Sequence, residues 1–362
     1  MNSPFSYISY VFRKKKPIQL TFFVTRKCNA RCPFCFYLRG KRETEHDFPE
    51  LAIDEIERIA RSMGNLLWVL FSGGEIFLRE DIVETSITFY KNNKPAILTY
   101  PTNGLLPELI KEKTEEILRH CKKSVVVVKL SLDGLGGAHD ALRKMPGNFE
   151  RLMQTYEALG GLLCKYPNLE IGINTLFCSE NQYRMNGRNG IIEFVRSLNK
   201  VRTHTISMVR GVLKEEHYKK IDLSQYGKTI KTLEKNLKKP NAHVYSFKGG
   251  RFKAAQDNLQ HRLIYHTMSR KRRLIPCYAG RLNLVLTETG DLYPCELSDQ
   301  KIGNVRDFNY DVKKILQSAR AKKVIEAIET EECYCSHECN FITNILFNPK
   351  MYPRLLREHL KL

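Results

Sequence analysis

Between residues 17 and 210 short apolar runs alternate with longer amphipathic ones. The apolar runs are PIQLTFFVT (17–25), LLWVLFSG (66–73), PAILTYPT (95–102), SVVVVKLSLD (124–133), LEIGINTLF (169–177) and THTISMVR (203–210). Their length and β-branched content predict strands. Between them, ELAIDEIERIARSM, REDIVETSITFYKN, PELIKEKTEEILRHC, FERLMQTYEALGGLL and GIIEFVRSLNK space their apolar residues for one face of a helix. Repeated strand-then-helix units predict a parallel sheet with helices outside. Right-handed crossovers then curl it into a partial or full barrel.

After residue 211 the rhythm stops. Residues 212–274 are basic and helical in pattern, and predict a connector. RLNLVLTETGDLYPCE predicts a hairpin turning near Gly290. The expected division is a basic N-terminal segment (1–16), a barrel (17–211), the connector (212–274), a small cysteine-rich domain (275–345) and a tail (346–362). Trp68 reads as a core residue at the start of the second strand.

Composition adds that this is a globular chain: 362 residues, 42% hydrophobic, enough for two domains. No apolar run is long enough to span a bilayer. The N-terminus puts its apolar stretch before its charges, the reverse of a secretory signal, so a cytoplasmic protein is expected. The net charge of +20 concentrates in residues 13–16, 219–239 and 269–273. It favours anionic partners, or is partly a matter of solvated faces.

Eleven cysteines in a cytoplasmic chain point to metal or catalytic thiols, not disulfides. Cys28, Cys32 and Cys35 lie in the loop after the first strand, at the mouth where barrels of this kind place their chemistry. Three thiolates close on zinc with a fourth ligand from elsewhere, or on an iron–sulfur cluster with one iron left open, or are three incidental thiols. Other strand ends carry polar groups: Gly73, Gly74 and Glu75 in SGGE, Asn103 in TNG, and Arg210 after the sixth strand. Period-two alternation puts Lys129, Ser131 and Asp133 on the lumen face of the fourth strand, and Gly172, Asn174 and Cys178 on one face of the fifth. Each alone is an ordinary turn or capping residue. Polar groups ending five successive strands read together as a ligand site.

The spacing Cys28-x₃-Cys32-x₂-Cys35, with Phe34 before the last cysteine, resembles the radical S-adenosylmethionine (radical SAM) superfamily. SGGE, TNG, SLDG and GIN follow in the order that family uses. The resemblance covers nearly all of residues 17–211 and implies a partial (β/α)₆ TIM barrel. Its 4Fe–4S cluster would be held by Cys28, Cys32 and Cys35, with SAM on the open iron. It further implies that Phe34 meets adenine and that Gly73, Gly74 and Glu75 bind the methionine amino end. Ser131, Asp133, Asn174 and Arg210 would contact ribose or carboxylate, with Asn103 in the pocket.

The later cysteines, Cys277-x₁₂-Gly290-x₄-Cys295 and then Cys333, Cys335 and Cys339 around His337, resemble the SPASM and twitch domains of the same superfamily. A full SPASM domain has seven cysteines; five suit one auxiliary 4Fe–4S cluster and a spare. Cys277, Cys295 and Cys339 are the firmer ligands by spacing, and Cys333 and Cys335 compete for the fourth place. A structural zinc ribbon is the bland alternative.

The expected function is hydrogen abstraction from an unactivated C–H bond of a small-molecule or lipid-linked substrate, leading to oxidation, epimerisation or C–C bond formation. The alternatives are a peptide-modifying maturase, for which the short N-terminal segment leaves no recognition domain, and a non-catalytic iron–sulfur or zinc protein. A flavodoxin or ferredoxin would supply electrons, and no nucleic acid is expected. Apolar and basic residues mix at both termini as in peripheral membrane anchors, though ordinary packing gives the same pattern. Cys178 is a candidate hydrogen-atom donor, or simply a small buried residue.

Overall fold

A computed structural model describes residues 7, 9–14, 16–38, 49–239, 242, 244–330 and 333–362. Of the N-terminal anchor candidate (5–16), Phe5, Ser6, Ile8 and Lys15 lie outside the described residues. The strands are β1 Gln19–Thr25, β2 Trp68–Gly73, β3 Ile97–Thr102, β4 Val125–Ser131, β5 Leu169–Phe177, β6 Thr203–Met208, β7 Asn283–Leu286, β8 Asp291–Tyr293 and β9 Gly303–Asn304. The helices are α1 Ser9–Phe12, α2 Ile53–Met63, α3 Ile82–Asn93, α4 Pro107–His120, α5 Gly137–Arg143, α6 Asn148–Gly160, α7 Ile191–Ser197, α8 Leu223–Leu237, α9 Gly250–Arg270, α10 Val312–Gln317, α11 Ala319–Thr330, α12 Glu338–Leu346 and α13 Tyr352–His359.

Every expected strand and helix of the barrel is present, trimmed by one to three residues at most ends. Helix ends follow local chemistry. The Glu55 carboxylate accepts from the Ala52 N–H at 2.8 Å to open α2. Pro107 starts α4, and Arg119 and His120 complement its C-terminal dipole.

The strands form one open sheet in the order β6-β5-β4-β3-β2-β1-β7-β8-β9. All pairs from β6 to β7 are parallel; β7, β8 and β9 pair antiparallel. Alternation sorts the side chains as expected. Val126, Val128 and Leu130 of the fourth strand, and Leu132 just after it, are fully buried among the helices, with Val69, Phe71, Leu98, Tyr100, Ile171 and Ile173 from its neighbours. Lys129, Ser131, Asn174 and Leu176 face inward and stay half-buried. The lumen is therefore not packed shut as a complete barrel's is.

Trp68 departs from its expected place. Its parity is opposite to Val69 and Phe71, so its ring faces the lumen, where Nε1 donates to Thr99 Oγ1 at 2.8 Å. The cysteine-rich part is also less separate than its composition suggests. β7 pairs with β1 from Gln19↔Asn283 to Phe22↔Leu286, so the hairpin extends the barrel sheet. Its turn is at Gly290, with φ +89°. The connector folds into α8 and α9, and α9 packs on α8, α12 and α13. Of the apolar residues in 341–362, Phe341, Ile345, Met351 and Leu355 are buried, while Leu356 and Leu360 are exposed, as is Phe12 near the N-terminus. Among the described residues no helix is long and apolar enough to cross a membrane.

Candidate active site

The sheet's C-terminal edge and the loop after β1 form an open cleft of about 230 Å³. Cys28, Cys32, Phe34 and Cys35 line one side. Gly73, Gly74, Glu75, Asn103, Ser131, Asp133 and Asn174 are among the residues facing them. Ten strand-end and loop residues singled out by pattern alone, plus Phe34, thus share one cavity.

Close backbone packing builds the glycine wall. Gly74 N donates to Thr25 O and Glu75 N to Lys27 O, both at 2.8 Å. A Cβ on Gly74 would stand 2.2 Å from Lys27 O, and one on Gly73, whose φ is +122°, 2.4 Å from Thr25 O. Glycine alone allows strand end and cysteine loop to touch.

Glu75 is buried, and burial raises its pKa. Thr102 Oγ1 and Asn103 N donate to its two oxygens at 2.8 Å each. A carboxylate has about four acceptor positions, so it can still receive an ammonium. Asn103 reaches the cysteine loop through Nδ2 to Asn29 Oδ1 at 2.8 Å.

Asp133 lines the cavity with its oxygens already engaged. Oδ2 takes Arg143 Nη1 at 2.6 Å and Oδ1 takes Leu176 N at 2.7 Å. Arg143 is the residue that motif reading missed. It ends α5, is buried and lines the cleft, and its Nε has no partner among the described residues. The available signal was an arginine ten residues after Asp133, at the end of a short helix. Behind them, Asp133 N donates to His139 Nδ1 at 3.1 Å, His139 Nε2 meets Asn148 Oδ1 at 3.1 Å, and Asn148 Nδ2 donates to Asn103 O at 2.9 Å. This chain ties β3 to β4 across the site.

The thiols suit a cationic centre. Burial pushes Cys28 up to about 11 and raises Cys32. Ala30 N and Leu38 N donate to the sulfurs of Cys28 and Cys35 at 3.4 and 3.3 Å, contacts that stabilise metal-bound thiolates. Tyr37, two residues on, stacks on Phe23 with centroids 4.3 Å apart and hydrogen-bonds Glu288 of the hairpin turn. It pins the loop to the second cysteine region.

Two expected site residues lie elsewhere. Arg210 does not line the cleft: Nη1 pairs with Glu338 at 2.7 Å and Nη2 with Glu296 at 3.3 Å. The sheet curves it toward the cysteine-rich region, where two buried carboxylates hold it. Cys178 is fully buried beside Leu142, Val209, Leu213 and Tyr218, and burial pushes its thiol up to about 12. Its strand has ended, so parity no longer aims it inward.

In the second cysteine region Cys295 lies within electrostatic reach of Cys335 and Cys277, and Cys335 of Cys277 and Cys333. Burial pushes Cys295 and Cys335 up to about 12, whereas Cys333 is exposed. Cys339, on the first turn of α12, sits with His337 and Glu296, their ligand atoms all within 4.8 Å. Burial opposes charge on His337, yet Glu296 at 3.1 Å and the Cys339 thiol carry it up to about 10. His337, assigned no part from sequence, is thus a member of the charged group between the two cysteine sets.

The chain carries a Radical SAM domain followed by a C-terminal SPASM iron–sulfur domain, and is a radical SAM enzyme that uses 4Fe–4S clusters and SAM. The Radical SAM superfamily matches residues 22–166 and the SPASM iron–sulfur cluster-binding domain residues 277–340. An AdoMet-dependent heme synthase of Methanosarcina barkeri (strain Fusaro / DSM 804) is 27% identical over 298 residues, 78% of this chain and 78% of that protein. The Fe-coproporphyrin III synthase of the same organism is 29% identical over 182 residues, 49% of this chain and 41% of its own length. Among solved structures, Streptococcus suis SuiB bound to precursor peptide SuiA has a TM-score of 0.61 at 17% identity, covering 90% of this chain and 70% of that one.

Proposed function

We propose that this enzyme removes a hydrogen atom from an unactivated C–H bond of a carboxylate-bearing small molecule, an iron tetrapyrrole acid being the substrate that its relatives' names favour. The reading is carried by one observation: three thiols, the glycine wall, Glu75 and Arg143 converge on a single cleft. Cys28, Cys32 and Cys35 would hold the first 4Fe–4S cluster. When reduced, that cluster supplies the electron that splits SAM into methionine and a 5′-deoxyadenosyl radical. Glu75 and the backbone of Gly73 and Gly74 would orient the methionine amine, while Arg143 Nε suits its carboxylate. Phe34, Asn103, Ser131 and Asn174 complete the walls, and Asp133 acts by holding Arg143. Cys277, Cys295 and Cys335 would carry the auxiliary cluster, with Cys333 and Cys339 the candidates for the remaining ligand.

A basic chain and a small chamber support an anionic small molecule over an extended peptide. The decisive experiment is anaerobic reconstitution and dithionite reduction, followed by SAM with either Fe-coproporphyrin III or a short peptide library. The reading expects 5′-deoxyadenosine in both and a changed porphyrin only in the first. A modified peptide and an untouched porphyrin would favour the maturase, and no 5′-deoxyadenosine would reject both.

A further inference from the structure

Lys129 stands on the lumen face of β4, two residues before Ser131 of the SAM cleft. Its neighbours Val128 and Leu130 are fully buried in the outer core, whereas Lys129 is half-buried and opens inward. A space has been left for it. Its partner in register on β5 is Gly172, where a Cβ would stand 2.8 Å from Thr203 Oγ1 and 3.3 Å from Lys129 Cγ. Any side chain there would crowd the lysine stem.

The Lys129 ammonium donates to Thr205 Oγ1 at 2.8 Å. An ammonium has three donors, and among the described residues no carboxylate reaches it within 4.0 Å. The acidic groups around it are Asp257, Glu338 and the Cys339 thiol. Asp257 pairs with Lys253, and Glu338 gives Oε2 to Arg210 while its Oε1 has no partner among the described residues. Burial lowers the pKa of Lys129, and the nearby Lys253 adds to the effect. A partly desolvated cation without a counter-ion is costly. Its register partner on β3, Pro101, lines the SAM cleft, and Cys339 and Glu338 are near enough to act on its charge.

We propose that Lys129 is the substrate-recognition residue of the chamber, its ammonium pairing with a carboxylate of the bound substrate. The inference rests on the small-molecule acid reading of the site, and two measurements separate them. The reconstituted holoenzyme is titrated with Fe-coproporphyrin III and with its tetramethyl ester, read by Soret absorbance, for wild type and Lys129→Met. Crystals of the wild-type holoenzyme are also soaked in bromide, an anion probe that presupposes no substrate.

The expected result is tight binding of the acid by wild type, at least about tenfold weaker binding by Lys129→Met, equal binding of the ester by both, and bromide on Lys129 Nζ. Equal binding of the acid by both proteins overturns the assignment, as does bromide that avoids Nζ. If wild type binds neither porphyrin while bromide occupies Nζ, the anion site stands and the tetrapyrrole reading falls. Because methionine matches the lysine stem in size and needs no counter-ion, the variant is expected to fold, and an unchanged thermal midpoint checks this.

Discussion

Arg210 Nη1 lies 2.7 Å from Glu338 Oε2, joining the end of the last barrel strand to the first turn of α12. With Glu296 on its other nitrogen and His337 beside Glu296, the guanidinium balances a buried group of four charges. Arg210→Met leaves two buried carboxylates facing one imidazolium. The expected loss is about 3–5 kcal/mol, read from urea unfolding. SAM affinity should be nearly unchanged in the folded fraction, because Arg210 does not line the cleft.

Iron content separates the two sulfur sites. Wild type should hold about eight irons per chain, and Cys28→Ala and Cys295→Ala about four each. Only Cys28→Ala should abolish the change in the reduced protein's electron paramagnetic resonance spectrum on adding SAM. A SAM response that survives Cys28→Ala would place the cofactor elsewhere.

Gly74→Ala tests the glycine wall. Its new Cβ would stand 2.2 Å from Lys27 O, and backbone cannot yield as a flexible side chain does. The strand end must part from the cysteine loop, at about 1–3 kcal/mol. Isothermal titration should show SAM binding lost or strongly weakened even where the protein stays folded.

His139 gives a pH signature. Burial depresses it from 6.5 to about 4, and its neutral Nδ1 accepts from Asp133 N. Between pH 6.5 and 4 the unfolded chain binds a proton there that the folded chain refuses. Its contribution to stability is therefore complete above about pH 6.5 and is lost as pH falls toward 4, up to about 3 kcal/mol in all. Urea midpoints at pH 7.5 and 5 measure the drop, and His139→Gln should make it smaller.

Cys178 is enclosed by Leu142, Val209, Leu213 and Tyr218. Cys178→Ala should leave 5′-deoxyadenosine and product yields unchanged and cost about 1 kcal/mol in stability. A variant that cleaves SAM but fails to close the product would restore the hydrogen-donor role.

Much of this protein was legible in its sequence because local rules suffice there. Strand–helix alternation is written in side-chain periodicity, so six strands and their inward faces follow from residues a few positions apart. Cys28, Cys32 and Cys35 are close in the chain and must be close in space. Gly73, Gly74, Glu75 and Asn103 sit at strand ends, which a parallel sheet gathers at one edge whatever its detailed curvature.

What tertiary structure alone decided concerns residues whose partners are distant in sequence. Arg210 turns to Glu296 and Glu338, 86 and 128 residues away; Arg143 comes to the cleft because α5 folds back on β4. Cys339 meets Glu296 from the hairpin region, and the hairpin at Gly290 becomes part of the barrel sheet through β1. Parity places Lys129 on the lumen face, but that Asp257 of α9 and Glu338 of α12 come near it, each paired with another cation, is decided by tertiary packing. Periodicity reports which way a side chain points. Which charge it meets depends on how separate elements pack, and that is settled by burial and pairing across the whole chain.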